Sequence, residues 1–352
     1  MNLHDLLVAQ ITANGPMRIS DFMADCLLHP DFGYYTTKNP FGASGDFVTA
    51  PEVSQMFGEL IGLSLAQAWI DQGSPTSFAL VEFGPGRGTL MADILRATKG
   101  VSGFHQAAQI TLLEASAKLR ARQGETLQGY TPIWIEAADQ IPSMPIFAVA
   151  NEFFDALPIR QFVRDGAGWR ERQVGLDDKA LAFGLGPNTP QPALAHRLED
   201  TNDGDIVEDC AVASPFVNTV GLRIKQHGGA ALFIDYGDWR SLGDTLQASK
   251  DHENVSPLVQ AGQCDITAHV DFEAIANAAP CPYSRVTPQG VFLERLGITQ
   301  RAQALAHNMT EDALHTHVAA HRRLTHPDEM GNLFKVIGLY PEGGSPPAGL
   351  EK

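Results

Sequence analysis

The chain reads as an α/β protein built on an open, mostly parallel, Rossmann-like sheet, and three observations predict it. Five short apolar runs each end in polar or acidic residues. Helical or turn-rich segments join them. The first run passes into a helix through glycines at alternate positions. Strands covered on both faces read as unbroken apolar runs, and ligands of such sheets bind beyond the carboxyl ends of the strands.

The elements follow in order. Leu3 to Thr12 reads as an amphipathic helix, and Ile19 to Leu27 as a second, with Ser20 or Asp21 as its cap. A turn-rich loop runs from His29 through Glu52, and a helix is expected over Val53 to Asp71. The first strand, Phe78-Ala79-Leu80, leads into Val81-Glu82-Phe83-Gly84-Pro85-Gly86-Arg87-Gly88. Thr89 to Arg96 then has helical periodicity. An acidic residue thus closes a strand, glycines make the turn, and a helix N-terminus offers N–H groups to an anion.

A second strand, Ile110 to Leu113, ends at Glu114, and a third, Pro132 to Ile135, ends at Glu136 and Ala137. The fourth, Pro145 to Ala150, runs into Asn151-Glu152-Phe153-Phe154-Asp155-Ala156-Leu157-Pro158. Phe162 to Asp209 reads as a strand-rich excursion. Ala211 to His227 is the helix feeding the fifth strand, Ala230 to Ile234, which ends at Asp235. From Asp238 to about Pro288 the chain loses strand character, Phe292 to Leu324 is helical, and Leu333 to Tyr340 is the last strand. No internal repeat is visible.

Composition bounds the function. Of 352 residues, 44% are hydrophobic and 19% charged, which describes a globular chain able to bury a core. The net charge of −16 argues against general binding to a phosphate backbone and favours a basic or arginine-bearing partner. No stretch approaches the ~18 consecutive apolar residues of a membrane span. The four cysteines, Cys26, Cys210, Cys264 and Cys281, form no C-x-x-C pair and read as reduced, mostly buried thiols. The N-terminus shows neither secretory nor transit-peptide character, so cytoplasmic residence is the expectation. His315, His317, His321 and His326 suggest a metal, but no cysteine or acidic motif completes a site, and no metal is expected.

The glycine spacing is G-x-G-x-G, with Thr89 where the third glycine of a dinucleotide fingerprint would fall. A bare βα turn with no ligand would have similar local chemistry. With Glu82 ahead of Gly84, however, the arrangement resembles motif I of the class I S-adenosylmethionine (SAM) methyltransferases. Glu114, closing the second strand, is placed to take both ribose hydroxyls of a nucleoside.

Taken over nearly its whole length, the chain resembles the MidA family of SAM-dependent methyltransferases, whose mitochondrial members are complex I assembly factors regarded as protein arginine methyltransferases. The resemblance rests on His29–Tyr35, Gly45–Glu59, Val81–Gly88, Asn151–Pro158, Asp265–Phe272 and Met330–Val336. It implies a class I SAM-methyltransferase fold, a mostly parallel seven-stranded sheet with additional helical elements. The lack of a targeting sequence points to a bacterial-type member.

The expected organisation is a helical segment with a lid loop over 1–75, a SAM-binding Rossmann-like core over 76–240, and a helical or irregular cap over 241–330. The final core strand falls in 331–342 and a disordered tail in 343–352. The cofactor is SAM, with S-adenosylhomocysteine (SAH) as product. Glu82, Gly84, Pro85, Gly86, Gly88, Glu114, Glu136, Ala137 and Asn151 are the expected cofactor contacts. Asp46, Thr49 and Glu52 either close over the methionine end or belong to a structural turn. Glu152, Asp155 and His269 are the candidate catalytic residues. Past the fourth strand, Glu152 and Asp155 would orient an arginine guanidinium by paired hydrogen bonds; alternatively, Asp155 and Asn151 only cap a turn. His269 is either an acid/base or substrate contact, or a hydrogen-bonded structural residue. The expected partner is a protein substrate, the oligomeric state being open. The alternatives are a methyltransferase for a small molecule or another side chain, and an assembly chaperone that binds SAM without turnover.

Overall fold

The structure, a computed structural model, describes residues 2–37, 49–250, 253–307 and 309–352. The chain divides into two compact units, one formed by Met1–Phe47, Asp155–Ala213 and Arg240–Asp271, the other by Val48–Phe154, Ser214–Trp239 and Phe272–Lys352. Each unit is therefore discontinuous in sequence, unlike the contiguous segments expected.

The second unit holds the sheet. Its strands are β1 (Phe78–Phe83), β2 (Ala108–Leu113), β3 (Ile133–Ile135), β4 (Ile146–Asn151), β5 (Gly229–Asp238), β6 (Thr287–Pro288) and β7 (Phe334–Leu339). They lie in the order β6-β7-β5-β4-β1-β2-β3. β1 to β5 are parallel, β7 runs antiparallel beside β5, and β6 antiparallel beside β7. All six residues of β1 and of β4 are buried, which is why Phe78–Val81 and Ile146–Ala150 read as apolar runs. Chain order reverses between β1 and β4, and it is beyond the carboxyl ends at such a switch point that open α/β sheets bind their ligands. Helices Gln55–Asp71 and Thr89–Thr98 cover the sheet through Phe57, Leu60, Ile61, Leu90, Met91 and Ile94. Each such side chain removed from water contributes ~1.5–3 kcal/mol.

The first unit is mixed. Helices Leu3–Asn14 and Ile19–Leu28 bury Leu3, Leu7, Phe22 and Met23 in a core with Val174 and Ile266. The strand-rich excursion is present: Arg160–Asp165, Gly168–Asp177, Ala180–Thr189 and Ile206–Asp209 join Met17–Arg18 in an antiparallel sheet.

Two expectations need correction. The stretch after Asp238 does contain strands, Gln247–Lys250, Glu253–Val255 and Asp265–Thr267, which pair antiparallel. Strands of three or four residues are too short for alternation to register in sequence. The glycine- and proline-rich tail is not disordered. Leu350 and Pro347 occupy the space where Gly338 of β7 lacks a side chain, with approach distances of 2.6 and 3.1 Å to a Cβ built there. Ser64 donates to the Ala348 carbonyl at 2.8 Å, and the Arg285 N–H to that of Glu351 at 2.9 Å. The helical stretch from Phe292 is three helices, Gln289–Arg295, Ile298–Ala306 and Glu311–Thr325.

Candidate functional site

The glycine turn lies at the carboxyl end of β1. Gly84, Gly86 and Gly88 have φ of 64°, 51° and 81°, the left-handed region that disfavours side chains. A Cβ on Gly84 would also stand 2.9 Å from the Phe153 ring. Pro85 is buried inside the turn, and the Gly88 N–H donates to its carbonyl at 2.7 Å. Gly88 is the N-cap of Thr89–Thr98 and supplies no side-chain cap; of the first N–H groups of that helix, that of Met91 is taken by Glu82.

Glu114, just past β2, is buried. One carboxylate oxygen accepts the Ser116 N–H at 2.8 Å and the other the Gln123 amide at 3.0 Å. Burial raises its pKa, and these two hydrogen bonds oppose the rise. With a third bond from the Ala115 N–H, acceptor capacity still remains on the carboxylate. Gln123 itself is fully buried and acts as a bracket. Its amide also donates to the Gly86 carbonyl at 2.8 Å, and its oxygen accepts the Trp134 indole N–H at 2.8 Å. One side chain thus ties the glycine turn to Glu114 and to β3.

Glu82 and Asn151 close the adjacent strands β1 and β4. Glu82 is 3% exposed and Asn151 8%. Glu82 Oε2 and Asn151 Oδ1 are buried with no hydrogen-bond partner among the described residues. Burial pushes the Glu82 carboxyl up to about 8, against a hydrogen bond from the Met91 N–H, and the charges of Asp93 and Glu114 add to the rise. Two orphaned acceptors near the carboxyl ends of neighbouring strands match a ligand bearing N–H donors.

The segment before the core closes on the same edge. Thr49 is the N-cap of the short helix Ala50–Val53, without a side-chain cap bond. The cap comes instead from Glu152, whose Oε1 accepts the Ala50 N–H at 2.9 Å and the Asn151 amide at 3.0 Å. Glu152 has φ of 52°, an unusual backbone for a non-glycine residue and of the kind that gathers at functional sites. At the other end of the segment, Glu52 accepts the Thr89 hydroxyl at 2.6 Å and pairs with Arg87 at 3.5 Å. Thr49–Val53 is thereby anchored both to the glycine turn and to the end of β4.

The structure therefore brings together Glu82, Gly84, Pro85, Gly86, Gly88, Glu114, Asn151, Glu152, Thr49 and Glu52 on one edge of the second unit. Asp46 lies outside the described residues. Glu136 is exposed and paired with Arg120 at 2.9 Å, and the backbone N–H groups of Glu136 and Ala137 both donate to the Gln140 side chain. Asp155 and His269 belong to the first unit. The Asp155 carbonyl accepts the Ala268 N–H at 3.0 Å, and the His269 N–H donates to Thr245 Oγ1 at 2.8 Å. In that unit Tyr35 donates to Asp265 at 2.7 Å; burial, then Asp265 and Asp155, hold its hydroxyl well above the ordinary tyrosine range. Of the histidines, His317 contacts the Ala302 carbonyl at 3.0 Å and His321 the Thr299 hydroxyl at 3.1 Å.

Sequence reasoning missed Gln123, Trp134, Thr89, Arg87 and Phe153. Thr89 and Arg87 were legible as neighbours of the glycines, but Gln123 had no local signal at all. Chemically, the edge offers a nucleoside-sized set of acceptors and a turn with left-handed backbone; the donor capacity comes from a helix end.

The chain is similar to known proteins. Residues 60–286 match the family described as putative S-adenosyl-L-methionine-dependent methyltransferase. The mitochondrial protein arginine methyltransferase NDUFAF7 of Xenopus laevis is 34% identical over 367 residues, covering 95% of this chain and 83% of that protein. The human protein of the same name is 34% identical over 366 residues, covering 95% and 82%. A COG1565 superfamily protein from Burkholderia thailandensis, solved bound to S-adenosyl-homocysteine, superposes with a TM-score of 0.84 at 32% identity, over 99% of this chain and 93% of that one. The expectation of cytoplasmic residence is overturned by these relatives, since the Xenopus and human proteins are both named as mitochondrial. No helix among the described residues is long and apolar enough to cross a membrane.

Proposed function

The chain belongs to the family of S-adenosyl-L-methionine-dependent methyltransferases, and on that premise we propose that it methylates an arginine side chain of a protein partner. SAM supplies an activated methyl group on a sulfonium and leaves as SAH. The orphaned acceptors Glu82 Oε2 and Asn151 Oδ1, together with Glu114, are the observation that fits this cofactor to the chain's own residues. In this reading Glu114 holds the ribose hydroxyls, Glu82 and Asn151 meet the ammonium of the amino-acid end, and the glycine turn lets the cofactor approach the backbone. Thr49 and Glu52 close that edge and exclude water. Glu136 and Ala137 border the adenine side.

The acceptor reading rests on charge. An arginine guanidinium keeps its charge at neutral pH and is held best by paired carboxylates. Glu152, which follows β4 beside β1, is the group assigned to it in the second unit; Asp155 and His269 are the acceptor contacts assigned within the first. The first unit carries 21 Asp and Glu against 10 Lys and Arg, whereas the second carries 20 against 15. An acidic surface of that kind draws basic segments. The relatives named as protein arginine methyltransferases point to the same class of acceptor.

The experiment is transfer of a labelled methyl from SAM into a cell lysate, with mass spectrometry of the modified proteins. Methylarginine in a discrete protein, lost with Gly86→Val, is the expected result. Label found only on a small molecule or on other side chains would replace the acceptor. Glu152→Gln and Asp155→Asn should leave SAH affinity within a few-fold and slow transfer by roughly 10–1,000-fold, or about 1.4–4 kcal/mol. Wild-type rates in both variants would remove the physical basis for a guanidinium acceptor.

A further inference from the structure

Glu82 is a strand-end carboxyl of the cofactor edge whose charge burial and two neighbouring carboxyls disfavour, against a single hydrogen bond from the Met91 N–H. From helix Thr89–Thr98 it meets the Met91 N–H and the carboxyl of Asp93, and from the end of β2 the carboxyl of Glu114. From β4 its partner in register is Val149, which is uncharged. The nearby guanidiniums are committed elsewhere: Arg96 to Asp93 and Glu59, and Arg120 to the Glu114 carbonyl and Glu136. An ionised carboxylate buried in this way, with one oxygen lacking any hydrogen bond among the described residues, is costly, and a proton removes that cost.

We propose that Glu82 is neutral in the cofactor-free protein and sheds its proton when the ammonium at the amino-acid end of the cofactor docks against it. The O–H bond of the carboxyl breaks, the proton passes to the solvent buffer, and the carboxylate accepts an N–H of the ammonium. No other bond changes. Cofactor binding is therefore coupled to proton release, and its affinity rises with pH. A cation at contact distance in a buried site reverses the balance that burial sets. The carboxyl's position near 8 places the free form almost wholly protonated at neutral pH. The inference rests on the cofactor reading of this edge, but not on the identity of the methyl acceptor.

Titration calorimetry with SAH tests it, since SAH carries the same ammonium and does not react. Measured at pH 7.0 in buffers of different ionisation enthalpy, binding should release about 0.9 proton per SAH, and affinity should rise close to tenfold from pH 6 to pH 7. Two controls follow. 5′-Methylthioadenosine, which lacks the amino-acid end, should bind without proton release. Glu82→Gln, an uncharged near-isostere checked for folding by circular dichroism, should bind SAH with release near zero and a flat pH profile. SAH binding with no buffer dependence overturns the proposal, as does equal release from 5′-methylthioadenosine or from Glu82→Gln. If Glu82→Gln binds too weakly to titrate, the wild-type pH profile decides: a flat profile refutes the coupling. Failure of the wild type to bind SAH at all would instead bring down the cofactor reading, and this proposal with it.

Discussion

Gln123→Leu is the most direct probe of how the cofactor edge is held together. Leucine approximates the volume of glutamine, so the loss reports hydrogen bonds rather than a cavity. Three bonds disappear, to the Gly86 carbonyl at 2.8 Å, to Glu114 at 3.0 Å and from Trp134 at 2.8 Å. At ~1 kcal/mol net for each, with a further cost for partners left buried and unsatisfied, the variant should lose about 3–4 kcal/mol. For a domain of this size that corresponds to a fall in Tm of roughly 6–12 °C. SAH affinity should also drop, by about tenfold or more, because the Gly86 carbonyl and the Glu114 carboxylate lose their common support. Thermal unfolding and calorimetry check both. A variant that melts within about a degree of wild type and binds SAH equally well would show that the bracket does not organise the site.

Further outcomes follow from the same geometry. Gly86→Val should abolish SAH binding in a folded protein, because a branched side chain opposes the φ of 51° and fills the turn; unchanged affinity would contradict this. Glu114→Ala should weaken SAH binding by about 1–3 kcal/mol, and a liganded crystal structure with Glu114 turned away from the ribose would refute its role. Glu52→Gln and Thr89→Val, singly and together, should show a coupling of about 1–2 kcal/mol in unfolding measurements, and strict additivity would argue against the 2.6 Å contact. Glu82 also predicts a stability profile for the cofactor-free protein. Its folded pKa of about 8 lies above the ordinary 4.5, so the stability held by its neutral form is complete below about pH 4.5 and is lost as pH rises towards 8. Glu82→Gln escapes that loss, so its advantage over wild type should widen across the window to about 3–5 kcal/mol and then level off. Urea unfolding at pH 5 and pH 8 would expose a constant gap, which this account forbids.

Much of the second unit was legible because its signals are local. β1, β2, β4 and β5 are short apolar runs, and alternate glycines after Phe83 announce a turn in which side chains are excluded. The acidic and amide residues at the strand ends, Glu82, Glu114 and Asn151, could be placed at one edge because parallel strands share their carboxyl ends. Less was legible at the periphery. The three- and four-residue strands after Gly243 are too brief for periodicity, and the tail looked disordered because composition says nothing about a groove prepared by Gly338.

What the sequence determined by itself, then, is the sheet's central strands, the glycine turn and the family likeness, all of which depend on neighbours within a few residues. What only the tertiary structure decided is how those parts are fastened. Glu152 caps a helix 102 residues away, Glu52 reaches Thr89 across 37 positions, and Gln123 joins three segments at once. Such contacts have no pattern along the chain, because a buried polar group needs only a partner in space, and folding alone sets which partner arrives.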